Sequence, residues 1–148
     1  MTTIKTNLIA FLLLITSVSF GQDTILSQEL YEGKLGDKSI SLYLKIAEDG
    51  CPTVYATGMY KYKQNKTNNW LLLEIVFSET KNQFTMVEHF NTGILILTRK
   101  EETFQGIWIS PDGKKQFEVN LIKVKITTNE IEKLEEKLDL EYYYANDC

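Results

Sequence analysis

The chain has 148 residues, a formal net charge of −4, 43% hydrophobic and 24% charged residues. That is one domain's worth of core-forming sequence, with no clustered Lys and Arg of the kind nucleic-acid binding requires. A single histidine, His89, and two cysteines, Cys51 and Cys148, exclude mechanisms that need two histidines and supply no metal-ligand spacing.

Lys5 is the only charge before an apolar run from Leu8 to Ile15, and Ser19-Phe20-Gly21 offers small residues for a signal peptidase. Residues 1–21 therefore read as a signal peptide, making the protein secreted or periplasmic. The run is too short for a transmembrane span. Residues 22–128 read as a β-meander and 129–148 as an acidic helix and tail. That tail holds seven Asp or Glu against Lys133 and Lys137. In an oxidising compartment Cys51 and Cys148 can bridge, or Cys148 stays free or joins a second chain.

A short strand is expected over Glu29–Lys34, followed by turn residues Gly36-Asp37-Lys38. Ile40, Leu42, Leu44 and Ile46 then alternate with Ser41, Tyr43 and Lys45, the mark of a half-buried strand. In Val54–Lys63 tyrosines alternate with lysines, and Gly58 suggests a bulge or bend. Lys61, Lys63 and Lys66 read as a solvated strand face.

Trp70–Lys100 is the central meander. Pairing Leu71–Phe77 with Phe84–Phe90 puts Leu71, Leu73, Ile75, Phe77, Phe84, Met86 and Phe90 on one face. Asn91-Thr92-Gly93 reads as a hairpin loop with Gly93 at positive φ, and the return strand adds Ile94 and Ile96 to that face. Glu88 interrupts the apolar row opposite Leu73, and a buried carboxylate there needs partners. Glu74 falls on the other face, so the two do not form a catalytic pair.

Thr103–Ser110 holds Gly106-Ile107-Trp108, Ser110-Pro111-Asp112-Gly113 is a hairpin turn, and Phe117, Val119 and Leu121 alternate after it. Thr127 and Glu130 form a capping box, and Ile131, Leu134 and Leu138 recur at helical spacing. A helix of about three turns is expected from Asn129. Leu138, Leu140, Tyr142 and Tyr144 also alternate, which suggests an extended arm at its end. The fold expected is all-β: an antiparallel up-and-down meander of about eight strands, forming an open or closed barrel or a flattened sandwich, with a C-terminal α-helix.

Gly58-Met59-Tyr60-Lys61-Tyr62, Glu88 before a glycine turn, Gly106-Ile107-Trp108 and Gly113-Lys114 together resemble small exported bacterial β-meander domains of uncharacterised function. The likeness spans roughly Tyr31 to Val124 and implies no activity. Lipocalin-like barrels are similar in architecture only, since the Gly-x-Trp here falls late.

The residues point to no catalytic set, metal or cofactor. The functional expectation is a non-enzymatic binding or interaction module with an envelope or extracellular protein as partner. The alternative is a carrier of a small apolar ligand. Its candidate contacts are Glu88, Tyr60, Tyr62 and Trp108, which combine a polar group with aromatic surfaces.

Overall fold

The computed structural model describes residues 23–50, 53–65 and 67–146. The signal segment and the Cys51–Cys148 pairing lie outside the described residues.

Eight strands follow one another around a closed barrel: β1 (Thr24–Leu35), β2 (Lys38–Glu48), β3 (Val54–Tyr62), β4 (Leu71–Ser78), β5 (Gln83–Glu88), β6 (Ile94–Lys100), β7 (Thr103–Ile109) and β8 (Gln116–Val124). Each pairs antiparallel with the next, and β1 meets β8 from Leu30 opposite Val124 to Leu35 opposite Val119. Closure removes both sheet edges, which settles the barrel against the sandwich. An α-helix, α1 (Thr128–Asn146), follows.

The period of two fills the interior. Ile40, Leu42, Leu44 and Ile46 point inward as their alternation predicts, joined by Tyr60, Leu73, Phe84, Met86, Val119 and Leu121. Eight strands enclose just enough room for side chains or one small ligand. Tyr31, Phe84 and Phe104 form an aromatic layer inside the barrel, with ring centroids 4.6 Å apart for Tyr31–Phe104 and 5.1 Å for Phe84–Phe104.

Several details differ from the sequence reading. Strand β1 starts at Thr24, and its register shifts between Ile25 and Ser27, whereas β3 pairs without interruption through Gly58. After Glu88 the chain leaves the sheet in a 3₁₀ turn, His89–Asn91, in which Phe90 takes φ 67° and Asn91 φ 54°. Phe90 is therefore 85% exposed rather than inward. Gly93 is not the positive-φ residue of this loop. The detour resets β6: Leu95 and Leu97 point inward opposite Met86 and Phe84, and Ile94 and Ile96 point outward.

The expected arm is helix as well. Thr127 and Glu130 make the reciprocal capping box, with Thr127 N donating to Glu130 Oε2 at 2.8 Å and Glu130 N to Thr127 Oγ1 at 3.3 Å. From there α1 runs 19 residues to Asn146. Packing extends it: Leu138, with Leu134 and Tyr142, covers Tyr43, Met59, Trp70 and Leu72 on the outer face of β2–β4 and the residue preceding β4. Tyr43 Oη and Lys45 Nζ each reach a carboxylate oxygen of Glu135 at 2.5 Å. The lysine face is partnered too: Lys61 lies 4.7 Å over the Trp70 ring and Lys63 pairs with Glu32 at 2.7 Å.

Candidate functional site

Adjacent antiparallel strands bring alternate turns to opposite ends of the barrel. At one end, which we call the base, Tyr62, Glu88, Ile94 and Trp108 come together. At the other, the mouth, lie Thr24, Glu48, Val54, Ser78, Gln83, Lys100 and Thr103.

The base gathers the four residues singled out in the sequence. Glu88 sits inside with 3% exposure, opposite Leu73. Its Oε1 accepts from Tyr60 Oη at 2.5 Å and Trp108 Nε1 at 2.6 Å, and its Oε2 accepts from Thr92 Oγ1 at 2.6 Å. Tyr60 Oη also lies 3.2 Å from Tyr62 Oη. Burial, then the Glu88 carboxylate, pushes the Tyr60 phenol well above its ordinary range, and burial raises Tyr62 as well. Both phenols therefore stay protonated, and Tyr60 remains a donor. Thr92 was not anticipated; its place in the turn just after Glu88 was the available signal.

This arrangement satisfies a buried carboxylate without a cation, using three neutral donors. It closes the base as a polar plug between β3, β5 and β7. Gly93 makes room for it, since a Cβ there would stand 2.3 Å from Trp108 Nε1. Gly93→Ala is expected to push the indole off Glu88, costing about 1–3 kcal/mol as overpacking does; chemical denaturation followed by tryptophan fluorescence measures it.

The mouth holds what the sequence reading missed. Glu29, Arg99 and Lys123 share the inward parity of Tyr31, Leu97 and Leu121. Glu29 Oε1 accepts from Lys123 Nζ at 2.8 Å. Its Oε2 accepts from Tyr31 Oη at 2.7 Å and from Arg99 Nη1 at 3.3 Å. Arg99 also lies 5.3 Å from the Phe84 ring centre. Above this cluster opens a cavity of about 580 Å³, whose lining includes Leu26, Ile46, Val54, Phe77, Phe84 and Arg99. Its volume is in the range of small-molecule sites, and polar side chains, among them Ser27, Ser78, Asn82 and Glu101, share its lining with the apolar ones.

Burial works to raise the Glu29 carboxyl, but the hydrogen bonds from Lys123 and Tyr31 and the charges of Lys123 and Arg99 outweigh it and hold it below 4.5. Glu135 of α1 behaves alike, with burial opposed by Lys45 and Tyr43. Groups with depressed native pKa values contribute stability above their unfolded pKa and lose it as pH falls through the native one. Stability is thus expected to decline below pH 4.5. Glu29→Gln and Glu135→Gln should each flatten that decline, as read by urea midpoints measured across pH.

His89 lies in the 3₁₀ turn rather than on a strand, with Nδ1 3.7 Å from Glu74 and Nε2 buried without a hydrogen-bond partner among the described residues. Among the described residues no group of three or more His, Cys, Asp or Glu is placed to hold a metal ion. Nor is any described helix long and apolar enough to cross a membrane. Comparison with protein-family models, curated proteins and solved structures finds no match to this chain.

Proposed function

We propose that the chain is an exported, non-enzymatic binding protein that takes a small, largely apolar ligand into the mouth of its barrel. The observation that carries this reading is the cavity of about 580 Å³ standing on the Phe84 side of the aromatic layer. A barrel whose sole task was to fold would be filled at both ends. Here the base is plugged by Glu88 and its three donors, and the mouth is open.

This reading moves the ligand contact away from Glu88. Its Oε1 already accepts two hydrogen bonds and Oε2 one, and the group is 3% exposed inside the plugged base, so it is poorly placed to meet an incoming ligand. Glu88, Tyr60, Tyr62 and Trp108 then serve the site indirectly by holding the far end of the barrel shut.

Uptake of the neutral fluorophore N-phenyl-1-naphthylamine tests the proposal. Saturable enhancement that Val54→Trp abolishes, by filling the cavity, is the expected result. Enhancement that is absent, or unaffected by that substitution, would overturn it.

A second reading, an interaction module for another envelope protein, draws on Phe90. This side chain is 85% exposed, is held at φ 67° and stands beside Tyr144 at a shallow groove. If it anchors a partner, Phe90→Ser should abolish co-purification of that partner from the envelope while leaving thermal stability unchanged or raised. Retained co-purification would remove Phe90 from the interface.

A further inference from the structure

Resting on the small-ligand reading above, we infer that the mouth selects an apolar molecule ending in a carboxylate, held by Arg99 with its apolar part against Phe77, Phe84 and Ile46. Two cations, Arg99 and Lys123, converge inside the mouth on one acid, Glu29. The three side chains therefore carry one surplus positive charge inside the barrel.

The two cations are not equally engaged. Lys123 holds Glu29 at 2.8 Å, and Tyr31 Oη adds a donor at 2.7 Å, whereas Arg99 makes one long contact to Glu29 at 3.3 Å and a further hydrogen bond to the Tyr31 hydroxyl. A guanidinium has five N–H donors in a fork matched to a carboxylate. Arg99 is placed to use that fork: its side chain is 26% exposed, it lines the cavity, and its guanidinium lies 5.3 Å from the Phe84 ring centre. An entering carboxylate can take the guanidinium in two-point fashion while Lys123 and Tyr31 keep Glu29 satisfied.

The other acids at the cavity are Glu79 and Glu101. Both belong to the exposed turns at the rim, where water and salt screen them. They oppose anions in solution near the entrance more than a carboxylate already at Arg99. Glu29 is the direct competitor, being the acid Arg99 now touches.

Calorimetric titration of the intact chain with octanoate and with octan-1-ol, its neutral analogue, tests the assignment. Octanoate is expected to bind at least about tenfold more tightly, as a charge-assisted pair implies. Arg99→Gln should erase that preference while changing octan-1-ol affinity little, and Arg99→Lys should retain part of it. Glu29→Gln, which removes the competitor, should tighten octanoate binding, a gain that misfolding cannot produce. Equal binding of the two ligands, blocked by Val54→Trp, would overturn the carboxylate assignment and leave the small-ligand reading standing. Absence of binding, or binding indifferent to Val54→Trp, would overturn both.

Discussion

Glu88→Leu is expected to destabilise the protein by about 3–5 kcal/mol even though it replaces a buried charge with an apolar side chain. The substitution takes the shared acceptor from three donors at once, Tyr60 Oη, Trp108 Nε1 and Thr92 Oγ1, and leaves Tyr60 only its longer contact to Tyr62 Oη at 3.2 Å. An unsatisfied buried donor costs about 1–3 kcal/mol, and partial relaxation of Thr92 near the surface brings the sum below its maximum. Glu88→Gln keeps the shape and one acceptor oxygen for Tyr60 and Trp108, and Thr92 can accept from the new amide. Its cost should stay near 1–2 kcal/mol. If Tyr60→Phe is then added to Glu88→Leu, the double mutant should recover part of the loss, because the stranded phenol is gone. Urea unfolding of the four proteins measures all of this. Equal stability of Glu88→Leu and the parent would mean that the base is not held by this cluster.

Removing α1 by ending the chain before Thr128 should abolish cooperative unfolding. Tyr43 and Met59 are fully buried, Trp70 and Leu72 nearly so, and all four pack with Leu138 of the helix. Burying one such side chain is worth about 1.5–3 kcal/mol. Exposing even half of that surface removes several kcal/mol from a fold whose total is on the order of 5–15 kcal/mol. The milder Leu138→Ala should cost about 2–5 kcal/mol and leave the fold intact, since it cuts one buried side chain from the middle of the contact. Thermal melts followed by circular dichroism separate the cases. A truncated chain that melts like the parent would show the helix to be an appendage.

What the sequence disclosed followed its alternation. Strands β2 and β8 carry apolar and polar residues in turn, so their faces were legible, and the pairing of β4 with β5 put Glu88 in the inward row opposite Leu73. The capping box at Thr127 and Glu130 marked the start of α1 for the same local reason. Strand β6 was different. Ile94, Leu95, Ile96 and Leu97 are all apolar, so no period selects a face, and the apolar Phe90 falsely prolonged the β5 pattern through what is a 3₁₀ turn.

That one-residue slip hid the mouth. With Ile94 and Ile96 set inward, Arg99 falls outside the barrel; with Leu95 and Leu97 inward, it falls inside. Glu29, 70 residues from Arg99 and 94 from Lys123, then becomes their common partner. Such separations leave no local trace, and only the closure of β1 on β8 creates the cluster. The length of α1 was obscured similarly, because Leu140, Tyr142 and Tyr144 fit a strand period as well as the side of a helix.

Native mass spectrometry of the protein isolated from the envelope of its own host tests the central claim most directly. The account predicts a population heavier than the bare chain by a few hundred daltons, small enough for a cavity of about 580 Å³, and its loss in Val54→Trp. A bare chain in both proteins, or an adduct that survives the filled cavity, would contradict a ligand-binding mouth.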